Sequence, residues 1–475
     1  MDQASVALAE AKAWVVGRFD WLFVFVTNAA ILGVALLALH PKASLRLGAE
    51  DSRPEFSRLA WFAMLLSAGL ASGVLYWATA EPILHQVSNP LLSNPDLLGA
   101  GGDSIETATA MRITVLHWGI HGWALYVLGA LAIAIYAYRH DRPVTFRTAL
   151  YPILGAKWSD RWPGRAVDLL ALFGTVCGVA TSVGLSAGSI NATLSSLFGL
   201  GVTSGNQIAI VFGVCGLGIL SVLSGLTRGI RILSELNVWL SLLLLSAFLL
   251  LGPTLFLLEL FVETFVDYAL YAIPTGLWIG ESQVDRAWQA DWTVFYWGWW
   301  LAWTPFVSLF IARISKGRTI REFSIAVMLV PPLVTLIWMS VLGGTALAQE
   351  AASAGSVSDL VNRDYSLGLV AVIEGLGSPM VARGLVGVAA FLLLTWLVTS
   401  LDSATLVICH LLGVEDIAAA QVFWGFGLAA VAAVLLRAGG LEALQAASIV
   451  MGLPLAALMI LLGGGLLLDF LRGRV

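Results

Sequence analysis

Four aromatic residues repeat at helical spacing within one apolar segment. Tyr296, Trp299, Trp300 and Trp303 occupy positions i, i+3, i+4 and i+7, so at about 100° per residue their rings share one side of a helix. Ring faces attract a desolvated cation by about 0.5–2 kcal/mol each, and quaternary ammonium is the usual guest. The pattern predicts a cation-binding surface, with core packing or an interfacial aromatic belt as the alternative.

A second aromatic group lies in an earlier apolar segment, where Trp118, Trp123 and Tyr126 fall within an arc of roughly 140° on a helix. Together the two groups predict an aromatic box. Acidic residues are scarce in the apolar segments, because Glu81 lies near a predicted end and only Asp402 lies well inside. Since the box lacks a clear counter-carboxylate, we expect a betaine-like zwitterion, which brings its own negative charge.

Hydroxyl side chains surround Asp402. Thr399, Ser400 and Ser403 lie within one helical turn of it, and hydroxyl and carbonyl oxygens suit hard cations such as Na⁺. An ionisable residue at this depth is commonly functional. Serine and threonine also hydrogen-bond back to helix carbonyls, and a buried aspartate can hold neighbouring backbone groups. An ion site and a structural hydrogen-bond group both fit these residues.

Two glycines and a serine interrupt another apolar segment, from Gly69 to Gly73. Glycine lowers helix propensity and permits close backbone approach. One interpretation is a broken helix that binds substrate or ions through freed backbone groups. The other is a small-residue face for helix packing. The segment itself does not distinguish them.

The elements that must position these residues are membrane-spanning helices. Hydrophobic residues make up 59% of the 475 positions and charged residues 12%, with mean hydropathy +0.88, so the chain needs lipid as its solvent. The net charge is −5, and the sequence has no basic stripe of the kind that binds nucleic acid, which excludes nucleic acid as a partner. Eleven spans are predicted, at 21–40, 58–78, 112–137, 166–189, 206–224, 233–257, 292–312, 323–345, 382–411, 417–436 and 443–470.

The loops rich in lysine and arginine alternate along the chain, around residues 42–58, 139–165, 228–231 and 313–321. The positive-inside rule therefore predicts an outer N-terminus and a cytoplasmic C-terminus in the inner (cytoplasmic) membrane. Between two spans, Glu259, Glu263 and Asp267 recur every four residues. This acidic stripe predicts an interfacial helix along the outer face; an extension of the preceding span is the alternative.

One pattern typical of an enzyme occurs. Residues 184–188 fit G-x-S-x-G, but a nucleophile elbow needs a strand before it and a helix after it. The pattern lies inside a predicted span instead, where the glycines allow close packing. We therefore expect no enzyme activity.

Several motifs together resemble the betaine/carnitine/choline transporter (BCCT) family, from about Trp21 to the end of the chain. The motifs are LGAEDSRPEFS at 47–57, Glu81-Pro82, HWGIHGW at 117–123, the tryptophan run of span 7, ARISKGRTIREF at 312–323 and TSLDS at 399–403.

The resemblance implies an all-α polytopic membrane protein with a leucine-transporter-type core of two inverted five-helix repeats. One extra N-terminal span precedes this core, whereas members of the family usually have twelve spans in all. The implied divisions are an N-terminal segment with the extra span (1–57), the first repeat (58–257), the interfacial helix and outer loop (258–291) and the second repeat (292–475). It also implies a substrate site of Trp118, Trp123, Tyr126, Trp299, Trp300 and Trp303 with the broken-helix positions Gly69, Ala71 and Gly73.

For the coupling ion, the resemblance implies a Na⁺ site between the broken helix and the ninth span. Its ligands would be the carbonyls of Ser67, Leu70 and Trp396 and the hydroxyls of Thr399 and Ser400. A second Na⁺ site in some members uses two threonines one turn apart. Here the first is Thr175, but the second position is Val179, which has no side-chain oxygen. We therefore expect one Na⁺.

The expected function is import of a zwitterionic quaternary ammonium or sulfonium compound by Na⁺ symport and alternating access. Proton-coupled choline carriers have an aspartate at the position of Ala71, and antiporters substitute a basic side chain that the fourth span lacks. Choline, carnitine and betaine could all use the same rings. A sodium-independent exchanger and a non-transporting ligand sensor are the alternatives. The expected partners are the small-molecule substrate, membrane lipid and, as a homotrimer, two further copies of the chain.

Overall fold

The computed structural model describes residues 3–69, 73–94, 97, 105–224 and 227–474. These residues form helices joined by short loops, and no strand occurs in this part of the chain. In the first half the helices are α1 (Gln3–Leu39), α2 (Arg58–Gly69), α3 (Gly73–Val87), α4 (Ile105–Trp118), α5 (Ile120–Arg139), α6 (Tyr151–Ser159), α7 (Trp162–Phe198), α8 (Ser204–Ser224) and α9 (Thr227–Leu251). In the second half they are α10 (Thr254–Leu277), α11 (Gln283–Gln289), α12 (Phe295–Ile314), α13 (Ile320–Ala352), α14 (Ser358–Arg363), α15 (Gly368–Glu374), α16 (Pro379–Leu412), α17 (Ala418–Gly439) and α18 (Leu441–Leu471).

The apolar helices agree with a polytopic membrane protein. Within the described ranges, nine helical segments are long and apolar enough to cross a membrane, and α9 with α10 makes a tenth if that bent pair is one span. The predicted span 58–78 corresponds to α2 and α3, which lie on either side of residues 70–72. Leu70 and Ala71 are outside the described residues, so the break between Gly69 and Gly73 stays a prediction.

Local sequence sets where the long helices begin and end. The Thr319 hydroxyl accepts the Glu322 backbone N–H at the start of α13, and Ser378 does the same for Val381 at the start of α16. Such caps satisfy N–H groups that have no partner within the helix. After α16, Gly413 adopts φ 68°, a left-handed conformation that glycine takes without a steric penalty and that ends helices.

The acidic stripe lies on a helix that turns sharply away from its predecessor. α9 and α10 meet at 111°, and Pro253 is the residue just before α10 begins. Proline supplies no backbone N–H to continue the preceding helix. The interpretation as an extension of the preceding span is therefore wrong, and α10 starts at Thr254, within the region assigned to the first repeat.

Helix packing follows a repeated pattern. In a fold of two inverted repeats, each helix of one repeat has an equivalent helix in the other. A contact between the repeats should therefore recur with the two equivalent positions exchanged. Several observed contacts form such pairs: α3 with α13 and α5 with α12; α7 with α17 and α8 with α16; α7 with α18 and α9 with α16. The contact of α7 with α12 has no comparable counterpart among the described residues. The pairs are the arrangement expected of two related five-span units. The G-x-S-x-G residues lie in the middle of α7, where a Cβ on Gly184 would come within 2.6 Å of the Leu444 side chain, so this glycine permits close packing.

Candidate substrate-binding site

The two aromatic groups meet at one cavity. Trp118 and Tyr126 come from α4 and α5, and Trp299, Trp300 and Trp303 come from α12. Gly73 and Ser182 complete the lining, and the space between the lining atoms, part of it open to solvent, is about 330 Å³. We call these five rings the aromatic cage. Each ring is only 3–6% exposed, so a guest would be almost fully desolvated.

The rings of the cage stand steeply to one another. The Trp118 ring lies 5.8 Å from that of Trp299 at 84° and 6.2 Å from that of Trp300 at 74°. Tyr126 lies 4.9 Å from Trp300 at 51°. Rings inclined in this way enclose a space from several directions, and their faces carry the negative part of the quadrupole. The geometry suits a compact organic cation.

Hydrogen bonds fix the indoles of α12. Trp303 donates its Nε1–H to the Gly178 carbonyl at 2.9 Å and to the Ser182 hydroxyl at 3.1 Å, and Trp299 donates to the same carbonyl at 3.3 Å. Trp300 donates to the His117 carbonyl at 2.8 Å. Because these N–H groups are already bonded, the three rings contribute only π surface. A guest without hydrogen-bond donors, such as a quaternary ammonium, fits such a lining.

Glycines make room for the rings. A Cβ on Gly178 would lie 2.8 Å from Trp303 Cδ1 and 3.1 Å from the backbone of Ala302, and one on Gly73 would lie 2.7 Å from the Trp299 ring. A Cβ on Gly122 would overlap the Trp300 indole. The HWGIHGW motif therefore contributes the space for a cage ring as well as a ring of its own.

Trp123 lies behind the cage. Its ring contacts Trp300 and Tyr126 at 6.1 and 5.6 Å, it is fully buried, and it is not one of the residues that line the cavity. Of the predicted glycine positions, Gly73 lines the cavity, Ala71 lies outside the described residues, and Gly69 is described only as the last residue of α2.

A buried carboxylate lies next to the cage. Glu81 Oε2 accepts hydrogen bonds from Trp118 Nε1 at 3.0 Å and from the Tyr296 hydroxyl at 2.6 Å. Its Oε1 is 3.2 Å from His85 Nε2 and 2.5 Å from His117 Nδ1. Glu81 and both imidazoles are fully buried. We call these five side chains the Glu81 network.

The expectation that no carboxylate approaches the box was wrong. It placed the end of the second span at residue 78, whereas α3 continues through Pro82 to Val87 and buries Glu81. The sequence did contain a signal, the Glu81–His85 pair at i, i+4, whose side chains face each other on a helix. Ser182 was also missed, because its position on α7 gives no sign that α12 packs there.

Three side chains of the Glu81 network are close enough for a metal ion, since ligand atoms of Glu81, His85 and His117 lie within 4.8 Å of one another. However, both carboxylate oxygens already have two hydrogen-bonding neighbours each, and His117 Nε2 contacts the Thr293 hydroxyl at 3.1 Å. A metal would have to displace these bonds. The arrangement is a hydrogen-bond network in which, among the described residues, only His85 Nδ1 lacks a partner.

Part of the predicted Na⁺ ligand set lies together on α16. The Thr399 hydroxyl is 2.9 Å from the Trp396 carbonyl and 3.1 Å from the Thr395 carbonyl, which is ordinary back-bonding of threonine to its helix. Ser400 follows and is half-buried. Leu70 lies outside the described residues, and Ser67 lies near the end of α2. The ion site itself stays a prediction.

Asp402 and Thr175, which the sequence analysis also considered for ion binding, each have a hydrogen-bond partner. Asp402 accepts a hydrogen bond from Ser221 of α8 at 2.5 Å, which ties α16 to α8 and agrees with a structural role. Thr175 bonds back to the Ala171 carbonyl of its own helix at 2.8 Å, and Val179 is buried one turn later.

Comparison with known proteins relates the chain to one family of transporters. The chain matches the family model described as BCCT, betaine/carnitine/choline family transporter, over residues 1–472. It is 36% identical to a glycine betaine transporter of Acinetobacter baylyi over 471 residues, which is 98% of this chain and 69% of that one. It is 36% identical to a glycine betaine transporter of Bacillus subtilis over 462 residues (95% and 86%) and 35% identical to an osmo-dependent choline transporter of A. baylyi over 477 residues (98% and 67%).

Proposed function

The chain belongs to the betaine/carnitine/choline transporter family, and from this premise we propose that it imports an onium compound of the glycine betaine type by Na⁺ symport. The observation that carries the proposal is the aromatic cage, in which five nearly inaccessible rings from three helices line one cavity. Similar proteins are named transporters of glycine betaine and of choline, which supports the same class of substrate here.

We propose alternating access as the mechanism. It is supported by the hydrogen bonds and the cation–π contact that close one side of the fold. Leu47 donates its N–H to the Arg318 carbonyl at 2.8 Å, and Gly317 donates to the Leu47 carbonyl at 2.7 Å. The Arg318 guanidinium lies 3.9 Å from the centre of the Trp61 ring, and Trp61 donates to the Ser315 hydroxyl at 2.9 Å. These bonds join the two motif-bearing loops that carry arginine. Import requires them to separate.

The other side of the fold contains a larger cavity of about 890 Å³. Its lining includes Arg363, Asp364, Gln207 and, on α3, Tyr76. Tyr76 lies one helical turn after Gly73, which lines the cage. We propose this cavity as the outer entrance, because its lining carries polar groups and Tyr76 lies within one helical turn of the cage residue Gly73.

Orientation is part of the proposal. The loops rich in arginine lie in the cytoplasm, the N-terminus lies outside and the C-terminus inside the cytoplasmic membrane. A periplasmic reporter fused at the N-terminus should be active, and one fused after Val475 should not. Equal activity at both ends would contradict the eleven-span arrangement.

For the coupling ion, we propose one Na⁺ held by the Ser67, Leu70 and Trp396 carbonyls and the Thr399 and Ser400 hydroxyls. Trp396, Thr399 and Ser400 lie within about one turn of α16, and this spacing supports a group of oxygens of the kind that hard cations prefer. A homotrimer in the lipid bilayer is the proposed assembly; α10 exposes Leu255, Leu258 and Val262 to its surroundings, which is compatible with contact to lipid or to another copy.

Uptake by proteoliposomes tests the proposal. Radiolabelled glycine betaine should accumulate when an inward Na⁺ gradient is imposed, and should not accumulate with K⁺ in place of Na⁺. Counterflow without any ion gradient and without Na⁺ dependence would instead identify a sodium-independent exchanger. Binding without flux in either assay would identify a sensor. A panel of glycine betaine, choline, carnitine, ectoine and dimethylsulfoniopropionate, run with and without Na⁺, would identify the preferred substrate.

A further inference from the structure

The chain is interrupted between two helices that carry rings of the cage. α4 ends at Trp118 and α5 begins at Ile120. Gly119 between them has φ −94° and ψ −144°, which is not a helical conformation. We call this interruption the α4–α5 break. Trp118 before it and Tyr126 after it both line the cavity, so the break sets how these two rings face each other.

A tyrosine of α10 occupies the α4–α5 break. The Tyr268 hydroxyl accepts the backbone N–H of Ile120 at 2.9 Å, and Tyr268 is buried. The N–H groups of the first turn of a helix have no partner within that helix, and the N-cap residue of α5, Gly119, has no side chain to accept one. A Cβ on Gly119 would overlap the Tyr268 hydroxyl. Tyr268 thus takes the place of a capping side chain for α5.

The same break supplies the carbonyl that holds a ring of the cage. His117 lies in the last turn of α4, where backbone carbonyls have no partner within the helix. Its carbonyl accepts the Trp300 indole N–H at 2.8 Å. In an uninterrupted helix the His117 carbonyl would instead accept the N–H of His121, four residues later. Closing the break would therefore release Trp300 from its partner.

Other contacts hold α10 against this region. Arg112 of α4 is fully buried and lies 3.4 Å from Asp267 of α10, the residue before Tyr268. Near the end of α10, a Cβ on Gly276 would overlap the His121 ring, so α10 and α5 also approach closely there. The Tyr268 ring is therefore held at the break by its neighbours as well as by its own hydrogen bond.

We propose that Tyr268 is a positioning residue of the substrate site. Its hydroxyl keeps the α4–α5 break open, and the open break presents the His117 carbonyl to Trp300 of the cage. This rests on the proposed function and deepens it, because it assigns the geometry of the cage partly to a helix that contributes none of the cavity-lining residues among those described.

Removing the hydroxyl should shift the balance between an open and a closed break. In Tyr268→Phe the Ile120 N–H loses its acceptor, and its alternative partner is the carbonyl of Leu116, four residues earlier. A hydrogen bond of this kind changes an equilibrium by about three- to tenfold. The Trp300 ring then loses its partner in a larger share of the molecules, and the cage is complete less often.

The test is isothermal titration of the purified full chain with glycine betaine in saturating Na⁺. In Tyr268→Phe the Kd should rise about three- to tenfold. Tyr271→Phe is the matched control, because it removes the same hydroxyl from the same helix and keeps the ring that lies 5.0 Å from the Arg112 guanidinium. Its Kd should stay within about twofold of the parent value. Size-exclusion profiles and thermal unfolding verify that each variant is folded.

A rescue variant separates positioning from a general structural role. Proline at position 120 has no N–H to return to Leu116, suits the first position of a helix and disfavours a helical conformation at the residue before it. The break should then stay open without the tyrosine hydroxyl, whose removal also leaves room for the proline ring. The double variant Tyr268→Phe/Ile120→Pro should therefore bind glycine betaine within about threefold of the parent.

A second comparison tests the route through Trp300. In a Trp300→Leu background the His117 carbonyl has no indole to hold, so adding Tyr268→Phe should change the Kd by less than about twofold. A full three- to tenfold loss in that background would show that Tyr268 does not act through Trp300.

Unchanged affinity in Tyr268→Phe, an equal loss in Tyr271→Phe, or a double variant no better than Tyr268→Phe would overturn the inference and leave the proposed function intact. If Tyr268→Phe does not fold, the double variant decides: parent-like binding supports the inference, and failure to fold or to bind contradicts it. A parent that does not bind glycine betaine contradicts the proposed function itself.

Discussion

The aromatic cage and the hydroxyl pair of α16 are two halves of one proposed transport site, but they are built differently. The four indoles of the cage donate hydrogen bonds to groups on other helices, as with the bond from Trp303 to the Gly178 carbonyl of α7. Thr399 instead bonds within its own helix. The cage is thus preformed by tertiary packing, whereas the proposed ion site also takes carbonyls from a segment that includes Leu70, which lies outside the described residues.

This difference has a consequence for coupling. A preformed cage loses little conformational entropy on binding, so substrate affinity should depend mainly on the rings. A site that must gather ligands from two segments releases its ion when the segments separate, which is what coupling requires. The predictions below test this contrast, beginning with the largest expected effect.

The largest effect should come from filling the space that Trp300 occupies. A Cβ at Gly122 would overlap the Trp300 indole, and the rigid ring cannot move without breaking its bond to the His117 carbonyl. Gly122→Ala should abolish measurable substrate binding and lower stability by about 1–3 kcal/mol. Gly213→Ala is the matched control, because nothing lies within 4 Å of a Cβ there. Titration and thermal unfolding of both variants provide the comparison, and normal binding by Gly122→Ala would show that the cage is adaptable.

Removing one ring should have a smaller effect. Trp303→Leu and Trp300→Leu keep an apolar side chain but remove a ring quadrupole, so the Kd for substrate should rise about five- to thirtyfold. Trp239→Leu, at a residue 71% exposed on α9, should change nothing. Unchanged affinity in both cage variants would mean that these aromatics only pack.

The hydroxyl pair should affect the ion more than the substrate. Thr399→Ala and Ser400→Ala each remove one proposed Na⁺ ligand, and we expect the Na⁺ concentration for half-maximal uptake to rise severalfold, because a buried cation with too few ligands is costly. Substrate binding at saturating Na⁺ should stay close to normal. A loss of substrate affinity that excess Na⁺ does not rescue would contradict the separation between cage and ion site.

The smallest effect is expected at Thr175. Its hydroxyl bonds back to the Ala171 carbonyl, and Val179 offers no oxygen one turn later, so a second Na⁺ would lack a ligand. Thr175→Ala should leave Na⁺ dependence unchanged and cost at most about 1 kcal/mol of stability. The Hill coefficient for Na⁺ in uptake should stay near one in parent and variant. A coefficient approaching two would indicate that a second site exists despite Val179.

The sequence predicted the positions of the aromatic rings better than the positions of the groups that surround them, and the reasons are physical. Helical periodicity alone assigns Trp299, Trp300 and Trp303 to one face, and the long apolar segments identify the spans. The depth of Glu81 depends on a helix continuing through Pro82, and the space for Trp300 depends on Gly122 of another helix. Such contacts between elements distant in sequence are set by packing, which no local pattern contains.

The most direct test of the central claim is whether the cage recognises positive charge or only shape. Glycine betaine and 3,3-dimethylbutanoate have the same outline, but the second compound has a carbon in place of the quaternary nitrogen. If the rings bind through cation–π attraction, titration of the purified chain in saturating Na⁺ should give a Kd for 3,3-dimethylbutanoate at least about tenfold above that for glycine betaine. Equal affinities for the two compounds would contradict the claim that the aromatic cage is an onium site.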